Sequence, residues 1–157
     1  MIIVEHTADY FQDQMKQTMM AMRFIIPVPS RTYLLTLLQT YTHQDIGSTP
    51  VVFDMINATA ATTIQRLHHF KTMGDRSLMI AGVWPTSLSR KSVGVDYYIK
   101  MGRMGYSSVA AILNSRIANE HFAEMYSDLN KNFDKYCVIL GKVVGACVAP
   151  KCGGKVV

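Results

Sequence analysis

The chain has 157 residues, 49% of them apolar and 17% charged, which suits one globular domain and leaves little room for two. That balance excludes a disordered tail protein and a multidomain enzyme, and a chain of this size buries roughly 68–70% of its unfolded surface without a metal or disulfide. The net charge of +5 is uneven: residues 1–70 carry four basic and five acidic side chains, 71–116 seven and two, 117–141 two and four, and 142–157 three lysines and no acid.

Taken in chain order, apolar spacing predicts helices nearly everywhere. From Asp9 to Arg23, Phe11, Met15, Met19 and Met22 recur at intervals of four and three and share a helix face. Pro27 and Pro29 lack amide donors and break the pattern over Ile25 to Pro29. Ser30 then reads as the N-cap of a helix carrying Leu34, Leu37, Leu38 and Tyr41, which Gly47 ends. Thr49-Pro50 reads as a cap and first-turn proline, opening the longest helix of the first half, with Phe53, Ile56, Ala60, Ile64 and Leu67 on its buried face. Met73-Gly74-Asp75 predicts a stop and restart.

Gly82 to Gly94 reads as a loop, and Gly102 and Gly105 predict a kink or break between helices over Asp96–Met101 and Tyr106–Ile117. The clearest segment places Phe122, Met125, Leu129, Phe133, Tyr136 and Leu140 on one face, with Glu124, Asp128, Lys131, Asp134 and Lys135 off it. Beyond Leu140 glycines crowd, predicting a helical domain over residues 1–141 and a flexible basic tail over 142–157. The sum is an all-α, single-domain bundle of five to seven helices.

Three cysteines, Cys137, Cys147 and Cys152, are odd in number and gathered near one end, which predicts a reducing compartment rather than a disulfide framework. Met1 to Val4 is apolar, but no basic stretch precedes it and Glu5 interrupts it, so a cytoplasmic location is expected. No run reaches the ~20 apolar residues of a membrane span, since Tyr136–Ala149 is too short and carries Lys142.

Gly74-Asp75-x-x-Leu78-x-x-x-Gly82-x-x-Pro85, then Asp96-Tyr97-Tyr98-x-x-Met101-Gly102-x-x-x-Tyr106, with Tyr33-Leu34-Leu35-x-Leu37-Leu38 upstream, resembles a family of uncharacterised helical bacterial proteins over roughly residues 8–140. The resemblance implies an all-α cytoplasmic domain and a bacterial source, and brings no catalytic residue. The tail after Leu140 departs from that pattern.

Motifs narrow the chemistry. His68 and His69 are adjacent and diverge by about 100° on a helix, no His-Glu-x-x-His occurs, and Cys147-x4-Cys152 lacks further nearby ligands, so no metal or other cofactor is expected. Neither a nucleophile elbow nor a phosphate-binding glycine loop is present, and no catalytic residue is assigned. The candidate ligand-binding set is Asp75, Arg76, Trp84, Asp96, Tyr97, Tyr98, Arg103 and Tyr106, which either line a pocket or serve as helix caps, ion pairs and buried rings. Eleven methionines, among them Met15, Met19, Met20, Met22 and Met104, suit adaptable apolar contacts. The expected function is a non-enzymatic protein-interaction or small-ligand-binding module, as a homodimer contacting a protein partner or small apolar ligand. The rivals are a nucleic-acid-associated protein using the basic 71–116 segment with Tyr97, Tyr98 and Tyr106, and an enzyme or sensor with a pocket near Asp75 and Asp96.

Overall fold

A computed structural model describes residues 2–43, 50–59, 62–84, 94–115 and 120–148. Among these residues there are seven helices and no strand: α1 Ile2–Met22, α2 Val28–His43, α3 Val52–Thr59, α4 Thr63–Gly82, α5 Val95–Asn114, α6 Glu120–Lys131 and α7 Phe133–Val148. The chain is an all-α bundle. The α4–α5 pair forms its centre, α6 packs on α5, and α7 packs on α4, while α1 and α2 close the outside against α7 and α6. Among the described residues no helix is long and apolar enough to cross a membrane.

The ends of the helices follow from local chemistry. At the end of α1, the Phe24 amide donates to the Met19 carbonyl at 3.1 Å and the Arg23 amide to that of Met20 at 3.3 Å. This is the Schellman arrangement, and it places Arg23 at a φ of 52°, a conformation that glycine usually supplies. A side chain there costs roughly 1–2 kcal/mol. Helix α2 begins at Val28, before Ser30, and the Arg31 amide already bonds the Pro27 carbonyl at 2.9 Å. Ser30 is therefore inside the helix, not its cap. Pro29 lies in the first turn, where amides lack helical partners, so it opens the helix instead of preventing it.

The single helix expected from Thr49 to Leu67 divides into α3 and α4. Thr62 caps α4, accepting from the Gln65 amide at 3.5 Å while its own amide donates to Gln65 Oε1 at 3.2 Å. Each piece then turns its own face inward. Phe53, Ile56 and Ile64 are exposed, Ala58 is the buried residue of α3, and Leu67 is partly buried against the core. Ala60 and the expected caps Gly47 and Thr49 lie outside the described residues.

The expected stops at Gly74, Gly102 and Gly105 do not occur, because α4 and α5 run through them. Glycine inside a helix costs about 1 kcal/mol against alanine, but here it lets two backbones meet. A Cβ on Gly105 would lie 2.6 Å from the Phe70 carbonyl oxygen and 2.8 Å from the Gly74 nitrogen. Gly105→Ala therefore forces α4 and α5 apart and lowers stability by about 1–3 kcal/mol despite the gain in propensity. Denaturant melts check this, and a variant as stable as the parent would contradict it.

The last expected helix also divides. Asn132 separates α6 from α7, yet its amide bonds the Asp128 carbonyl at 2.9 Å and its carbonyl accepts from Tyr136 at 3.0 Å, so the junction is a kink. Asp128, expected on a solvated face, instead accepts from the Asn132 amide group at 2.7 Å and from the hydroxyls of Ser30 and Tyr136. Phe122, expected in the core, is 59% exposed. Helix α7 continues past Gly141 to Val148, with Val143 fully buried, so the first part of the expected tail is helical. Residues 149–157 lie outside the described residues.

Candidate functional site

The half of α4 from Met73 to Gly82 is buried on every side. Its three polar side chains, Asp75, Arg76 and Ser77, must find partners inside the protein. Asp75 Oδ1 accepts from the Tyr33 hydroxyl of α2 and from the Tyr106 hydroxyl of α5 at 2.8 Å. Its Oδ2 accepts from Lys71 Nζ, one turn back on α4, at 2.7 Å. Every donor points inward, the arrangement of an acceptor-only carboxylate. Arg76 donates to Asp54 of α3 at 3.1 Å, both side chains being largely buried. Among the described residues the Ser77 hydroxyl has no partner.

Around Asp75 the rings of Tyr33, Tyr106 and Tyr126 pack together. Tyr33 lies edge-on to Tyr126 at 5.4 Å and to Tyr106 at 6.2 Å between centroids. Burial foremost, then the neighbouring Tyr106 and Asp75, pushes the Tyr33 phenol far above its ordinary value. Burial and the Asp75 charge do the same to Tyr106. Burial also raises Tyr126, against the neighbouring Tyr33 hydroxyl and the charge of Lys71. Burial pulls the Lys71 ammonium down, but the Asp75 charge and hydrogen bond outweigh it and the net shift is upward. Lys71 Nζ also stands 5.4 Å from the Tyr33 ring centroid. At neutral pH all three phenols bear their protons, two of them donating to one carboxylate, and they are unsuited to act as bases or nucleophiles.

Two of these tyrosines reach the surface of the bundle. Pro29, Thr32, Tyr33 and Thr36 of α2 face His121, Phe122, Met125 and Tyr126 of α6 across an open groove of about 530 Å³. Its walls are mostly apolar and include the Tyr33 ring, whose hydroxyl Asp75 holds, and the Tyr126 ring packed against it. Phe122 forms one lip, which explains why a large ring of an otherwise inward face is left exposed. The Asp128 cluster fixes the neighbouring end of the groove by tying Ser30 of α2 to α6 and α7.

The structure brings some of the candidate residues read from the sequence together and sets others apart. Asp75 and Tyr106 are bonded to each other, but Arg76 turns to Asp54. Asp96 is exposed in the first turn of α5, roughly 15 Å along the helix from Tyr106. Tyr97 and Tyr98 pack edge-on at 5.1 Å, with Tyr98 in the core. Arg103 braces the kink between α6 and α7, donating to the carbonyls of Asn130 at 3.0 Å and Lys131 at 3.1 Å, with Asp134 at 3.7 Å. Trp84 is 38% exposed beyond the end of α4. None of the eight lines the groove. Tyr33, Tyr126 and Phe122, which do, carried no sign of it: Tyr33 stood only inside a leucine-rich motif and Phe122 on an apparent core face.

Of the central cations, Lys71, Arg76 and Arg103 are bound to partners within the fold and Lys100 is exposed, while Arg90, Lys91 and Arg116 lie outside the described residues. Among the described residues, no three histidine, cysteine or acidic side chains come together as a metal site. Comparison with protein-family models, curated proteins and solved structures finds no match to this chain, so its own geometry is the basis for a functional reading.

Proposed function

We propose that this chain is a small-ligand-binding module whose ligand lies in the groove between α2 and α6. One observation carries the reading: an apolar groove of about 530 Å³, within the size range of ligand sites, is lined by Tyr33, whose hydroxyl a buried carboxylate holds, and by Tyr126, whose ring packs edge-on against it. A site whose rings are locked before binding loses little side-chain entropy when it is filled. The chemistry selects a compact, mainly apolar ligand with a flat portion that packs on Tyr126 and Phe122. The protonated phenols argue for binding rather than for acid–base catalysis.

Native mass spectrometry of the freshly purified protein tests for a retained ligand, and NMR titration with the neutral aromatic 2-naphthol tests the groove directly. Resonances of Thr32, Thr36, Phe122 and Met125 shift first, and Phe122→Ser weakens the probe about tenfold, the value of losing one buried ring contact. Absence of any retained mass, together with 2-naphthol shifts no larger here than elsewhere on the surface, removes the proposal. The homodimer expected from the apolar composition draws its support from the exposed Met104 on α5.

A further inference from the structure

We propose that the corner between α1 and α2 docks on an anionic lipid bilayer. At this corner Met20, Ile25 and Val28 are 78%, 81% and 66% exposed. Beside them a shallow cleft of about 440 Å³ is lined by Lys16, Met19, Met20, Arg23, Phe24 and Ile25. Lys16 and Met20 stand at i and i+4 on one face of α1, and Arg23, just past the end of the helix, lines the same cleft, so a cation lies on either side of the exposed methionine along the chain. Among the described residues neither Lys16 nor Arg23 has an ion-pair or hydrogen-bond partner for its side chain. Lys135 of α7 adds a third cation, its Nζ 4.6 Å from the Phe24 ring centroid.

Large apolar side chains that project outward, with cations beside them, match the layering of an anionic membrane surface. The apolar tips enter the acyl boundary while the ammonium and guanidinium groups meet phosphates. Their projection favours a surface over an enclosed ligand, because side chains this exposed enclose little. The backbone at Arg23 agrees, since an arginine stands where glycine would relieve the helix end and its value is therefore in the side chain.

Flotation of the full chain with vesicles tests this, using phosphatidylcholine alone and phosphatidylcholine mixed with phosphatidylglycerol. The expected result is binding to the mixed vesicles only, weakening as added salt screens the charges. Ile25→Ser reduces binding about tenfold by removing an inserted side chain. Arg23→Gly reduces it about fivefold by removing one cation from the surface field, while the melting temperature holds or rises because the left-handed backbone is relaxed. That pairing of weaker binding with undiminished stability separates a lipid contact from a structural role. Failure to float with the mixed vesicles at low salt overturns the proposal, as does binding indifferent to both substitutions. A change of oligomeric state in Ile25→Ser also overturns it and assigns the corner to a second copy of this chain. Binding of monomeric palmitate without vesicle binding overturns it in favour of a free anionic amphiphile.

Discussion

Replacing Asp75 by alanine lowers the free energy of unfolding by about 3–5 kcal/mol, the largest loss expected from any single polar side chain in this protein. Asp75 is 4% exposed and ties α2, α4 and α5 through Tyr33, Lys71 and Tyr106. Without it the Tyr106 hydroxyl, wholly buried, has lost its acceptor, and an unmet buried donor costs about 1–3 kcal/mol. Tyr33 loses the same acceptor, and Lys71 loses the charge that compensates its partial burial. For a chain of this length the melting temperature falls by roughly 10 °C. Asp75→Asn keeps an oxygen for the phenols but replaces the acceptor of Lys71 with an amide donor, so its loss is substantial yet smaller than that of alanine. Calorimetry of the two variants checks the ordering, and an alanine variant within about 1 kcal/mol of the parent would show that the network adds little. The alanine variant also frees the Tyr33 ring, so 2-naphthol binding in the groove weakens even under conditions where the variant is folded.

Raising the pH unfolds the protein cooperatively above pH 10. The phenols of Tyr33, Tyr106, Tyr126 and Tyr136 are raised above the ordinary value of 10.0, foremost by burial, and that of Tyr41 is pushed up to about 12 by the same cause. Below pH 10 the folded and unfolded chains both keep these protons, and stability has its full value. Above pH 10 the unfolded chain releases protons that the folded chain holds, so each phenol subtracts about 1.4 kcal/mol per pH unit until its folded value is reached. Tyr41 stops contributing near pH 12, whereas Tyr33 and Tyr106 go on. Tyr33 and Tyr106, the most deeply buried of the five, together subtract about 3 kcal/mol per pH unit and by themselves exhaust a typical stability of about 5–15 kcal/mol within roughly two to five pH units, and the other three hasten the loss. Phenolate absorbance and far-ultraviolet circular dichroism then change together. Ionisation of these tyrosines while the helical signal is still native would show that they are accessible and the network open.

Cys137 reports on the same opening. Burial pushes its thiol up to about 12, with Asp134 adding to the effect. Its reaction with a disulfide reagent at neutral pH is therefore slow in the folded protein and becomes fast in denaturant. A Cys137 that reacts in the native state as quickly as a free thiol would show that α7 is not packed as described.

Helix identity was legible in this chain because apolar residues at spacings of three and four reflect a local geometry that every helix shares. Phe11 and Met15 on α1, Leu34, Leu37 and Leu38 on α2, and Leu129, Phe133, Tyr136 and Leu140 across α6 and α7 are buried as that spacing requires. Where the glycines belonged was not legible. Gly74 and Gly105 read as breaks because glycine is a poor helix former, and only the crossing of α4 and α5 turned them into points of backbone contact.

The polar centre was half legible for a related reason. Asp75 and Tyr106 stood out as candidate site residues, but Tyr33, 42 positions from Asp75, joined them only when α2 packed against α4 and α5. Asp128 and Ser30, 98 positions apart, met in the same way, so one left the solvated face and the other gave up its expected place as a cap. Sequence by itself determined that the chain is helical and which residues repeat on a buried face, because helical hydrogen bonds join residues four apart. Tertiary structure alone decided which carboxylate was buried, which tyrosines it held and where a groove opened, because those depend on contacts between residues whose separation along the chain carries no period.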